Sequence, residues 1–101
     1  MYKIYISKNV VSYFINLYNY LQWNKQDVEY VYKLRREFER QVRQILIFPH
    51  SCKFKKDAQT YQLLVYKKHV FCYFIDEYNK TINFVYAHSI KQNVHIKNLN
   101  Y

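Results

Sequence analysis

Three lysines crowd into four positions, Lys53, Lys55 and Lys56, a few residues past the Phe48-Pro49 junction. A lysine is a compact point charge that can hold a phosphate or carboxylate oxygen, where an arginine would clamp two oxygens with a planar fork. No arginine follows Arg43, so an anion met by the second half of the chain is met by lysine. His50, His69 and His88 lie in the same half and are able to move protons near their ordinary pKa. His69, beside Lys68 at a turn, reads as a surface residue. A run of lysines alone is most often only a solvated loop, so the elements that would position these side chains decide their meaning.

The chain has 101 residues, enough for one domain and one core that removes roughly 60 to 70% of the unfolded surface from water. Its formal charge is +9, from 16 Lys plus Arg against 7 Asp plus Glu, which favours an anionic partner such as nucleic acid, an acidic protein or a charged membrane surface. Gly is absent, Pro occurs once and Lys, Asn, Tyr, Ile and Phe are abundant. An AT-rich coding sequence drifts to that composition, so the 13 Tyr do not make a base-stacking platform without support from position.

Cys52 and Cys72 are too far apart for a Cys-x-x-Cys motif, and Met1 to Ser7 lacks the apolar core of a signal peptide; reduced thiols in the cytoplasm are expected. The apolar run Val70 to Ile75 falls far short of the ~20 residues that span a bilayer, so no membrane partner is expected. There is no Gly-rich phosphate loop, no metal-spaced Cys/His cluster and no Ser/His/Asp arrangement, and neither cofactor nor metal is expected.

Tyr2, Ile4 and Ile6 alternate with Lys3, Tyr5 and Ser7 as in a short strand. Ser7 or Asn9 can then cap a helix with apolar positions Val10, Phe14, Leu17, Tyr18 and Leu21, ending near Trp23-Asn24. A second helix with Asp27 and Glu29 in its first turn carries Val28, Val31, Leu34, Phe38, Val42, Ile45 and Leu46 as its stripe, with Glu29/Lys33 and Glu39/Arg43 paired outside. Pro49 ends it. A Lys-rich loop follows, then strands over Tyr61 to Tyr66, His69 to Asp76 and Thr81 to His88. The middle one is apolar on both faces, as a central strand should be, and Asn79 is the residue expected to take a positive φ in the last hairpin. The predicted fold is α+β in one domain spanning 1–101: an N-terminal strand, a helical hairpin and a three-stranded antiparallel meander, with the helices on one face of a single sheet and the other face poorly covered.

This order of parts resembles the RelE/ParE superfamily of bacterial type II toxin-antitoxin toxins. The resemblance runs from Tyr2-Lys3-Ile4-Tyr5-Ile6-Ser7 through Ile47-Phe48-Pro49 and the basic loop Lys53-Phe54-Lys55-Lys56-Asp57. It continues in Tyr61-Gln62-Leu63-Leu64-Val65, Val70-Phe71-Cys72-Tyr73-Phe74-Ile75-Asp76 and Ile82-Asn83-Phe84-Val85-Tyr86-Ala87-His88. It implies a cytoplasmic toxin neutralised by a cognate acidic antitoxin. The long helical hairpin and the Phe-Pro junction look more like the ParE side, whose members bind DNA gyrase without chemistry. The RelE side consists of metal-free endoribonucleases that cut messenger RNA on the ribosome, and a non-toxic basic binder on the same fold is a further alternative.

The resemblance places target or nucleic-acid contacts at Lys53, Lys55, Lys56, Tyr61 and Gln62, chemistry at His88, Lys91 and Tyr86, and antitoxin contacts at Arg35, Phe38 and Phe74. The chain departs from the family where arginine is usual: Gln62 follows Tyr61, Tyr86 stands before the end of the last strand, and only Lys91 remains of the basic residues after His88. Since arginine is the residue suited to stabilising a pentacoordinate phosphate, these departures favour a toxin that binds its target over one that cleaves it.

Overall fold

In a computed structural model, which describes residues 1–90, the chain forms β1 (Lys3–Ile6), α1 (Lys8–Trp23), α2 (Glu29–Ile47), β2 (Lys53–Lys55), β3 (Thr60–Val65), β4 (His69–Asp76) and β5 (Thr81–Ser89). Ser7 is the cap of α1, its hydroxyl accepting from Val10 N at 3.4 Å. The helix closes with Lys25 N donating to Gln22 O and Gln26 N to Leu21 O, a Schellman turn in which Lys25 takes the left-handed φ of 56° usually given to glycine. Asp27 lies just outside α2 and accepts from Glu29 N at 2.9 Å, so it acts as a cap and not as a first-turn residue. The stripe Val31, Leu34, Phe38, Val42 and Ile45 is buried as its spacing demands. The ion pairs outside it are Arg35 with Glu39 at 3.3 Å and Arg40 with Glu37 at 2.6 Å, one turn away from the expected Glu29/Lys33 and Glu39/Arg43 pairs.

One five-stranded sheet runs in the order β1-β5-β4-β3-β2. β1 lies parallel to β5, and the remaining neighbours are antiparallel. The α+β class and the central place of β4 agree with the sequence reading, whereas the meander has one strand more than expected. The lysine loop contains β2, hidden because its alternate residues are charged and its apolar residue is a single Phe54, which packs on Tyr61 with ring centroids 4.9 Å apart. In the last hairpin Lys80 takes the positive φ of 54°. Asn79 instead donates from its amide nitrogen to Asp76 Oδ2 at 2.8 Å.

Both helices cover one face of the sheet. There an aromatic series crosses the layers: Phe14 stacks on Phe71, Phe38 sits 4.4 Å from Phe71 and 5.2 Å from Phe84, and Tyr73 links Phe84 to Tyr61. His69 also belongs to this side, 5% exposed. Its Nδ1 lies 2.5 Å from the Tyr13 hydroxyl of α1 and its Nε2 2.8 Å from the Tyr30 hydroxyl of α2. The surface position read from its neighbour Lys68 is therefore corrected: the strand alternation carries this ring under the helices, where two tyrosines satisfy both nitrogens.

Candidate functional site

The other sheet face has neither helix on it, and the strand register decides which side chains reach it. Lys53 pairs with Gln62, Gln62 with Cys72, and Cys72 with Tyr86. Residues directly opposite in a ladder share a face, so these four form one row across four strands. Lys55 pairs with Thr60 in the next row, and Leu64, Val70 and His88 form a third. Backbones in a row are spaced roughly 4.8 Å apart. A segment lying across the strands would thus meet Lys53 and Lys55 at one end and Tyr86 with His88 at the other.

Tyr86 and His88 reach this face through an irregularity. In plain alternation Ile82, Phe84, Tyr86 and His88 would all point one way, and Ile82 and Phe84 point into the core. The register breaks between them: Tyr73 pairs with Phe84 but Cys72 with Tyr86, leaving Val85 as an extra residue, a β-bulge. Beyond it Ala87 faces the helices while Tyr86 and His88 turn outward.

The Tyr86 hydroxyl interacts with the Cys72 thiol and the Thr60 hydroxyl, and the Asp57 charge also acts on it. Burial, and next the neighbouring Cys72, raise the Tyr86 pKa above its ordinary value. Burial likewise raises the Cys72 thiol, offset in part by Tyr86, Thr60, Lys55 and Gln62. Both groups are therefore protonated near pH 7: Tyr86 can donate a proton or hydrogen bond there, and Cys72, wholly buried, is no thiolate nucleophile. Thr60 Oγ1 is buried against the same two groups without meeting hydrogen-bond geometry to either. His88 Nδ1 lies 3.2 Å from Ser89 O, and its ring stacks at 26° to Tyr86 with centroids 6.4 Å apart. A proton on Nδ1 donates to that carbonyl and leaves Nε2 as an acceptor for a ligand.

Lys53, Lys55, Gln62, Tyr86 and His88 are thus brought together, and the remaining expected site residues are not. Tyr61 lies on the opposite face, half-buried, and stacks on Tyr73 at 5.3 Å, apart from the other expected target contacts. Lys56 sits in the β2-β3 turn, its carbonyl accepting from Gln59 Nε2 at 2.7 Å. Arg35 is exposed on α2 beside Glu39. Phe38, 5% exposed, is a centre of the core and offers a partner no surface, and Phe74 is exposed on the helix-free face; the three expected antitoxin contacts occupy three different layers. Lys91 lies outside the described residues. Thr60, Cys72 and Asp57 complete the cluster unforeseen. Starting the third strand at Thr60 would have set Thr60 beside Gln62 by alternation, but nothing local marks Asp57.

Among the described residues no three of His, Cys, Asp and Glu gather as metal ligands, and no helix is long and apolar enough to cross a membrane. Compared with known proteins, the chain matches no family model and no curated protein.

Proposed function

We propose that this chain is the toxin of a type II toxin-antitoxin system and that its helix-free sheet face works on RNA, messenger RNA at the ribosome being the target class it fits best. The observation that carries the reading is the gathering of Lys53, Lys55, Gln62, Tyr86 and His88 on that one face. The lysines supply positive charge for phosphates, Tyr86 and Gln62 supply neutral hydrogen-bonding groups, and His88 keeps a ring nitrogen for proton transfer. With no arginine on the face, cleavage would rest on Lys53 and Lys55 stabilising the phosphorane as point charges, with His88 and Tyr86 exchanging protons with the 2′ and 5′ oxygens. The +9 charge suits an acidic antitoxin in the cytoplasm as inhibitor, and exposed Arg35 and Phe74 are available to it.

The test is primer extension on an actively translated message after induction of the chain without an antitoxin. New 5′ ends that vanish with His88→Ala and with Lys53→Ala/Lys55→Ala are expected. The absence of arginine from the face favours a second reading, binding to DNA gyrase without chemistry. Inhibited supercoiling with intact messages would establish that reading and overturn the first, and harmless expression with neither effect would overturn both.

A further inference from the structure

Ser7 touches the proposed site nowhere, yet the register of the site depends on it. Its backbone N donates to Phe84 O at 3.0 Å and its hydroxyl donates to Val85 O at 2.6 Å. Successive carbonyls of a regular strand point to opposite sides. Here two in succession turn toward one residue, because Val85 is the extra residue of the bulge. The same hydroxyl accepts from Val10 N, so a single oxygen caps α1 and holds the bulge with the donor and acceptor capacity that a hydroxyl has.

We propose that Ser7 is a positioning residue that, through its hydrogen bond to the bulged Val85, keeps Tyr86 and His88 on the helix-free face. The competing arrangement is a one-residue slip. Without the bulge at Val85 the strand could run on in plain alternation from Phe84, putting Val85 and Ala87 outward and Tyr86 and His88 under the helices. Asn83, on the near side of the bulge, keeps its place in either register. The proposal rests on the functional reading above for its consequence in RNA binding, but its structural half stands apart from that reading. Cys72 pairs with Tyr86 and is wholly covered, so it reports which way Tyr86 points.

The experiment uses the full chain carrying Cys52→Ser, which leaves Cys72 as its one thiol. Two quantities are measured: the alkylation rate of Cys72 by iodoacetamide under native conditions, and affinity for a fluorescent single-stranded 10-nucleotide RNA. Ser7→Ala is expected to raise the alkylation rate and weaken RNA binding by about tenfold each, the shift that one lost hydrogen bond can impose on an equilibrium. Deleting Val85 is the decisive second background. It removes the bulge while preserving every face, since Tyr86 then follows Phe84 directly. There Ser7→Ala should leave both quantities unchanged while still lowering the urea midpoint through the lost helix cap. Equal effects of Ser7→Ala with and without Val85 would reduce Ser7 to a cap and overturn the proposal, as would an unchanged Cys72 rate in the Val85-containing protein. A changed rate with no RNA binding by any variant would uphold the positioning role and sink the RNA reading.

Discussion

The two faces of the sheet are built from neighbouring residues of the same strands and could hardly differ more in what they bury. On the helix-covered face Phe71, Tyr73, Ile82 and Phe84 meet Phe14, Phe38 and Leu34, and the polar atoms there have partners: the Tyr73 hydroxyl donates to Pro49 O at 2.7 Å, and His69 lies between two tyrosines. On the other face Thr60, Val70 and Cys72 are also buried, but the Thr60 hydroxyl meets no good hydrogen-bond geometry and lysine, glutamine and histidine stand among the apolar side chains. One face is organised for stability. The other keeps unspent hydrogen-bonding capacity and, among the described residues, Lys53 and Lys55 outside any ion pair, the pattern expected where a ligand supplies the missing partners.

The adjacent residues Phe71 and Cys72, both wholly buried and on opposite faces, offer the largest contrast. Phe71→Ala removes a ring packed on Phe14, Phe38 and Tyr13 and should cost about 3 to 5 kcal/mol in urea denaturation. Cys72→Ala should cost under about 1.5 kcal/mol, since little more than one sulfur leaves a surface with no helix on it. Equal losses would mean that the second face is a core as well. For function the contrast should reverse. Lys53→Ala/Lys55→Ala touches nothing in the core and should leave the urea midpoint in place while lowering activity on RNA on the order of a hundredfold, the scale set by removing charge stabilisation from a phosphoryl transition state. An equal loss from Arg35→Ala/Arg36→Ala, on the helical layer, would break the assignment of function to the sheet face.

The covered face was the legible one. Its helix stripes repeat at three and four and its central strand is apolar, so Val31 to Ile45 and the role of β4 follow from periodicity. Three features escaped for distinct physical reasons. β2 has one apolar residue in three, too few to set a period. The bulge at Val85 carries no mark in an all-apolar stretch, since β-branched and aromatic residues suit either register, yet it decides where Tyr86 and His88 point. His69 was misplaced because its neighbour Lys68 is polar, whereas its environment is fixed by Tyr13 and Tyr30 far away in the chain. Local pattern carries hydrophobic faces well. It carries register shifts and long-range polar pairs poorly, and the site is made of those.

Acid should separate the faces next. Burial, and then the charge of Lys68, depress His69 to about 4 from its ordinary 6.5. The unfolded chain therefore binds a proton at this residue between pH 6.5 and 4 that the folded chain refuses, so the stability tied to neutral His69 is complete above pH 6.5 and is lost progressively as pH falls toward 4. The loss is on the order of 2 to 3 kcal/mol by pH 4. The urea midpoint should fall less between pH 7 and pH 4.5 for His69→Gln than for the native chain, a comparison that removes the common contribution of the carboxylates. If His69→Gln keeps the native pH dependence, the clamp of His69 between the helices is not what makes the covered face sensitive to acid.

The smallest effect asks whether the open face gives up stability for its chemistry. Thr60 Oγ1 is buried beside Cys72 and Tyr86 without good hydrogen-bond geometry to either. Replacing it by the methyl of Thr60→Val removes a desolvated hydroxyl at nearly constant shape, which should raise stability by about 1 kcal/mol. The same change should weaken RNA binding, because the hydroxyl beside Tyr86 that helps to orient its phenol is gone. A gain in stability with a loss in binding would show that the hydroxyl is kept for a ligand at the expense of the fold. A loss in stability would mean that the hydroxyl is bonded within the free protein, and the difference between the two faces would then reduce to charge alone.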